Sequence, residues 1–143
     1  MNQKINNIVA DLASKINDDD FLEFAEGKTE ELSSLENANE AIEPIIKLIA
    51  NNPDTDFGMP GPLVHFVEKY YRHGYEEILI SSLRKNPTSH TLWMLNRIIN
   101  ASQGDIKKKF IRELQEITKR PDIDDLTRSS ALEFYNSQVQ NNP

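Results

Sequence analysis

The chain contains no cysteine. That single absence excludes disulfides, thiolate nucleophiles, cysteine-based zinc sites and iron–sulfur clusters. Glycine is scarce, at 5 of 143 residues, and none belongs to a phosphate-cradling loop; the one closely spaced pair, Gly58 and Gly61, stands among prolines. Histidine occurs only as His65, His73 and His90. On one continuous helix His65 and His73 would stand about 12 Å apart, too far to share a metal. No serine sits in a nucleophile-elbow or S-x-x-K setting. Long apolar runs are also missing. Nothing approaches the ~18 apolar residues of a membrane span, and the opening MNQKINNIVADLASKI mixes polar with apolar residues, unlike a signal peptide. The expectation is a soluble, cytoplasmic protein with no metal, no cofactor and no catalytic residue.

What is present is a helical pattern. Hydrophobic residues at 38% and charged residues at 27% make a globular composition, and the length suits one domain spanning 1–143. Ile5, Ile8, Val9, Leu12, Ala13 and Ile16 follow the i, i+3, i+4, i+7 spacing of an amphipathic helix. A short helix carrying Phe21, Leu22, Phe24 and Ala25 is expected next, stopped by Gly27, with another turn or two over Thr29 to Leu35. Ile42, Ile45, Ile46 and Ile49 mark a firmer helix beginning near Glu43, because Pro44 is tolerated only in a first turn. After an irregular stretch over 51–62, further helices are read from Leu63 to His73-Gly74, through Ile78 to Asn86-Pro87, and from Thr88 or Ser89. Two more open at Gly104-Asp105 and at Asp124, the last using Leu126, Ala131, Leu132, Tyr135 and Val139; Asn141, Asn142 and Pro143 should fray. No window alternates as a strand does. The fold class is all-α: short helix pairs stacked as a HEAT-like array, with a compact bundle as the alternative.

Charge is unevenly placed. The net charge is −7, yet residues 1–71 carry 14 acidic and 5 basic side chains, giving −9, while residues 72–143 carry 9 acidic and 11 basic, giving +2. An acidic half argues against general nucleic-acid binding, which depends on lysine and arginine neutralising phosphates. It suits a basic protein partner, because complementary fields speed encounter and exclude wrong partners; ordinary solubility charge is the alternative.

Two segments concentrate that charge. Asp18, Asp19 and Asp20 read as caps and a negative first turn, or else as a patch extended by Glu23, Glu26, Glu30 and Glu31; they lack calcium-loop spacing. Asp54 and Asp56 sit in the Pro/Gly-rich stretch, which reads as a rigid helix entry: Pro62 near the first helical position, Gly58 and Gly61 at special backbone angles, Phe57 and Met59 as plugs over the core. A stiff loop would also present Asp54 and Asp56 to a partner at low entropic cost. Tyr70, Tyr71 and Tyr75 follow, and tyrosines are favoured interface anchors, although at least one should be core. The basic run Lys107-Lys108-Lys109 with Arg112 reads as a solvated helix face with Glu113 and Glu116 nearby, a phosphate-facing patch being the alternative. The candidate partner-binding residues are therefore Asp18, Asp19, Asp20, Glu23, Asp54, Asp56, Tyr70 and Tyr71.

Residues 56–100 resemble the small helical immunity proteins of bacterial polymorphic-toxin and contact-dependent growth inhibition systems. The resemblance is carried by Gly58, Pro60-Gly61-Pro62-Leu63-Val64-His65, Asn86-Pro87 and the helix containing Trp93, and it covers about a third of the chain. It implies a cytoplasmic antitoxin that binds one cognate toxin domain, often a nuclease, and blocks its active site or its substrate. It gives no rule for which residues touch the toxin. A HEAT-like adaptor with another protein partner remains the alternative.

Overall fold

The structure, a computed structural model, describes residues 2–142. The described residues form eight α-helices and a single 3₁₀ turn, with no strand among them. The helices are α1 (Gln3–Ser14), α2 (Phe21–Ser33), α3 (Ile42–Asn51), α4 (Gly61–Glu68), α5 (Tyr75–Lys85), α6 (Ser89–Ala101), α7 (Gly104–Thr118) and α8 (Asp125–Asn141); the 3₁₀ turn, Ala38–Ala41, leads into α3. The chain is all-α, as its periodicity requires. It divides into two compact units, and the division falls between Ile78 and Leu79.

In the first unit α2 packs against both α1 and α4. Ile5, Ile8 and Leu12 of α1, Ile42, Ile45, Ile46 and Ile49 of α3, and Leu63, Val64, Phe66 and Val67 of α4 are buried. Each such side chain contributes about 1.5–3 kcal/mol by leaving water. At the start of α1, Asn2 Oδ1 accepts the Lys4 N–H at 2.8 Å, satisfying one of the amides a helix N-terminus leaves unpaired. Pro44 is the third residue of α3, where no intrahelical bond is lost.

Helix α2 departs from the sequence expectation. It runs unbroken through Gly27, so the two pieces read as separate are one helix of 13 residues. Gly27 is exposed, while the buried stripe continues past it as Phe21, Ala25, Thr29 and Leu32. Thr29 is the hidden link, because its hydroxyl donates to the Glu26 carbonyl at 3.0 Å and leaves its methyl for the core. A glycine there only weakens the helix. A Cβ at position 27 would meet nothing within 4 Å. Gly27→Ala is therefore expected to stabilise the protein by about 0.5–1 kcal/mol, read as a raised urea midpoint at unchanged slope. A lowered midpoint would contradict this placement.

In the second unit α6, α7 and α8 all touch one another. Thr88 opens α6 with a reciprocal cap: its Oγ1 accepts the Thr91 N–H at 3.1 Å, and Thr91 Oγ1 accepts the Thr88 N–H at 3.0 Å. Leu92, Met94, Leu95, Ile98 and Ile99 of α6 meet a core that includes Phe110, Leu114 and Ile117 of α7; Trp93 is only half-buried and Ile106 is exposed.

The expected apolar stripe of α8 is corrected more strongly. Leu126, Leu132 and Val139 are exposed, Tyr135 is half-buried, and the buried residues are Thr127, Ala131 and Gln138. Gln138 Nε2 donates to Asn96 Oδ1 at 2.7 Å and to Asn100 Oδ1 at 2.8 Å, so α8 docks on α6 partly through one buried amide held by two α6 amides that reach solvent. Asn141 is helical, not frayed, and Asn142 Nδ2 donates to the Gln138 carbonyl at 2.9 Å; Pro143 lies outside the described residues.

The turn between α7 and α8 is tied by charge. Arg120 donates from Nε and Nη2 to both Asp122 carboxylate oxygens, at 3.0 and 2.8 Å, while its Nη1 reaches the Leu83 and Arg84 carbonyls at 3.0 Å. Asp124 caps α8 by accepting the Thr127 N–H at 2.7 Å. The Arg120 hydrogen bond holds the Asp122 carboxyl below its ordinary range, and the Thr127 amide does the same for Asp124. Depressed native values mean that their contribution is present above the unfolded pKa, about 3.9, and is lost as pH falls through the lower native values. The urea midpoint should accordingly fall below about pH 4, and less steeply in the Asp122→Asn, Asp124→Asn double variant. Identical slopes for both proteins would remove these two groups from the acid transition.

Candidate functional site: an acidic cleft

The charge asymmetry follows the division of the fold. The first unit, through residue 78, holds 16 acidic and 6 basic side chains, giving −10; the remainder holds 7 acidic and 10 basic, giving +3. Within the first unit several cations are already engaged. Lys28 Nζ lies 3.3 Å from Asp11 and 3.4 Å from Glu31, and the Asp11 bond leads the effects that raise its pKa. Lys15 Nζ lies 3.5 Å from Asp18.

Both acidic segments foreseen in the sequence meet in one place. Asp18 and Asp19, from the turn before α2, line a cleft of about 300 Å³ together with Asp54 and Asp56, from the loop after α3. Two aromatic rings between these segments hold them together. Phe21 and Phe57 are 3% and 2% exposed and meet edge to face, with centroids 6.0 Å apart. The loop is fixed at its start by Asn52, whose Nδ2 donates to the Leu48 carbonyl at 2.8 Å, and by the Thr55 N–H bond to the Asn52 carbonyl at 3.1 Å. Further on, Asp56 Oδ1 accepts the Gly58 N–H at 2.9 Å in a side-chain-closed turn.

Asp56 is tied into its own turn, but the aspartate triplet is not consumed by capping. Asp20 occupies the position before α2, yet its side chain makes no cap bond, which corrects the expectation that the aspartate triplet serves as caps. Asp18 is shared with Lys15, but no cation pairs with Asp19, Asp54 or Asp56 among the described residues. Asp20 and Glu23 are exposed beside the cleft without lining it. Such a cluster of negative charge on fixed backbone attracts a lysine or arginine from outside the chain.

Tyr70 and Tyr71 lie elsewhere. Tyr70 packs on Phe66 at 5.7 Å, and Tyr71 donates its hydroxyl to Glu68 Oε2 at 3.1 Å; neither lines the cleft. Tyr75 is the core tyrosine, fully buried. Met59, expected as a plug over the core, is instead 88% exposed. It stands at the lip of a second, larger groove of about 550 Å³ between α2 and α4, lined on the α4 side by Pro60, Pro62, His65 and Lys69. Sequence reading misses this groove because it stops the helix carrying Phe21 to Ala25 at Gly27. Read as one helix, Leu22, Glu26 and Ser33 fall on a common face, which was the available signal.

No group of three or more histidine, aspartate or glutamate side chains is placed to hold a metal among the described residues, and no described helix is long and apolar enough to cross a membrane. Comparison with protein-family models, curated proteins and solved structures finds no match.

Proposed function

We propose that this protein is an immunity protein: a non-catalytic, cytoplasmic antitoxin that binds a cationic bacterial toxin domain, a nuclease being the fitting kind, and occludes it stoichiometrically. The observation that carries the reading is the convergence of Asp18 and Asp19 with Asp54 and Asp56 on one cleft. Two facts support it. The loop forming one wall belongs to the segment that resembles helical immunity proteins, and the surrounding unit carries −10. A toxin nuclease needs basic side chains to hold phosphate, and those are the side chains such a cleft takes up. Neither nucleic acid nor a membrane is a partner on this reading.

Co-purification with the product of the adjacent gene, followed by rescue from its toxicity, is the direct experiment. Close interfacial charge pairs couple by about 1.5–7 kcal/mol. The Asp19→Lys, Asp54→Lys double variant should therefore lose at least about tenfold in affinity and fail to protect cells. Unchanged affinity would reject the cleft as the binding surface.

A further inference from the structure

The cleft and the α2–α4 groove are built from the same two stretches of chain, in the same order. The turn before α2 and its first residues face Asp54 to Asp56 in the cleft; farther along, Glu26, Glu30 and Ser33 face Met59 to Pro62 in the groove. Buried Phe57 stands between the two halves of the loop. At 1.5 Å per residue, the 13 residues of α2 carry this face about 20 Å from the acidic end to the groove end.

The groove has the chemistry of a helix receptor. Its accessible apolar lining is Pro60 and Pro62, half-buried, with the flexible thioether of exposed Met59 beside them; Phe66 lies buried beneath. One wall is acidic: Glu26 and Glu30 are exposed, and no lysine or arginine pairs with either carboxylate among the described residues. Lys69 on the opposite wall is held in place, with its Nζ 3.0 Å from Ser33 Oγ and over the Phe66 ring at 5.9 Å. Single exposed apolar residues are ordinary, but one set in a proline-braced loop and flanked by accessible Pro60 and Pro62 is a ready anchor.

We infer that the α2–α4 groove binds an amphipathic helix of the partner, its apolar stripe seated against Met59, Pro60 and Pro62 and its flanking lysines or arginines against Glu26 and Glu30. This rests on the proposed reading and gives it a second point of contact, apolar where the first is ionic.

Two synthetic probes separate the two sites. One is an amphipathic leucine/lysine helical peptide; the other is an oligolysine of equal charge. The helical peptide should shift the Met59 methyl resonance, and Met59→Asp should weaken it at least tenfold while leaving oligolysine affinity undiminished. Met59→Ala, which adds no charge, should weaken it in the same direction. Asp19→Lys with Asp54→Lys should weaken oligolysine. Equal binding of the helical peptide to wild type and Met59→Asp overturns the groove assignment, as does a methyl shift produced equally by a sequence-scrambled peptide. Oligolysine binding without helical-peptide binding overturns the groove alone; oligolysine binding indifferent to the aspartate changes overturns the cleft. Self-association of the protein abolished by Met59→Asp would make a second copy the occupant and overturn the partner helix.

Discussion

Replacing Phe57 by alanine is expected to destabilise the protein by about 3–5 kcal/mol, the usual range for truncating a fully buried phenylalanine. Phe57 is 2% exposed, and its ring meets the edge of Phe21, itself 3% exposed. The loss combines the transfer energy of the ring, the cavity left behind, and an aromatic contact of about 0.5–1.5 kcal/mol. Against a total stability of about 5–15 kcal/mol, that is a large fraction. Because the two rings share one site, Phe21→Ala and Phe57→Ala should be non-additive, with the double variant losing less than the two single losses together. Urea denaturation followed by circular dichroism reads all three variants. Strict additivity, or a Phe57→Ala cost under about 1 kcal/mol, would mean that the two loops are held together by something else. The same contact bears on binding, because Phe21 and Phe57 are what bring Asp18 and Asp19 to Asp54 and Asp56.

The legible parts of this fold are those governed by local periodicity. Ile5, Ile8 and Leu12, or Ile42, Ile45 and Ile49, announce buried helix faces because their spacing alone determines which side they share. Helix starts at Gly61, Ser89 and Gly104 lie within a residue or two of Pro62, Thr88 and Gly104-Asp105, since caps and prolines act on neighbouring backbone. The failures have a different origin. Gly27 signals a stop, but a glycine on the solvent side of a continuing stripe only weakens a helix, and whether the stripe continues depended on Thr29 counting as apolar. In α8 the buried face is chosen by Asn96 and Asn100, residues 42 and 38 positions from Gln138, and no window of a single helix contains them.

The candidate site divides in the same way. Clusters of aspartate at 18–20 and 54–56 are plain in the chain, and so is the stiffness of the loop carrying the second. Their meeting is not, because it depends on a ring contact between positions 21 and 57. Nor could Met59 be told from a plug. Phe57 and Met59 flank one glycine, and the turn at Gly58 decides which points inward.

That turn supplies the second large effect. Gly58 has a φ of +92°, a region where an L-residue places its Cβ against neighbouring backbone. A Cβ built there would lie 2.6 Å from the Gly61 Cα and 3.0 Å from the Gly61 nitrogen. Both are main-chain atoms, so no side chain can rotate out of the way, and Gly61 is itself fixed at a φ of +85° as the first residue of α4. Gly58→Ala is therefore expected to cost about 2–4 kcal/mol, the backbone penalty and the clash together. Gly61→Ala is the informative comparison: its φ is also positive, but its Cβ would meet nothing within 4 Å, so it should lose only the backbone part, about 1–2 kcal/mol. The order of the two urea midpoints tests close packing against backbone preference at one loop. Equal losses would mean that the approach of Gly58 to Gly61 is loose. A larger loss for Gly58→Ala, with weakened binding of both lysine peptides in the protein that still folds, would tie Asp56 and Met59 to the same main-chain contact, since the loop that presents them cannot keep its path once the two glycines are forced apart.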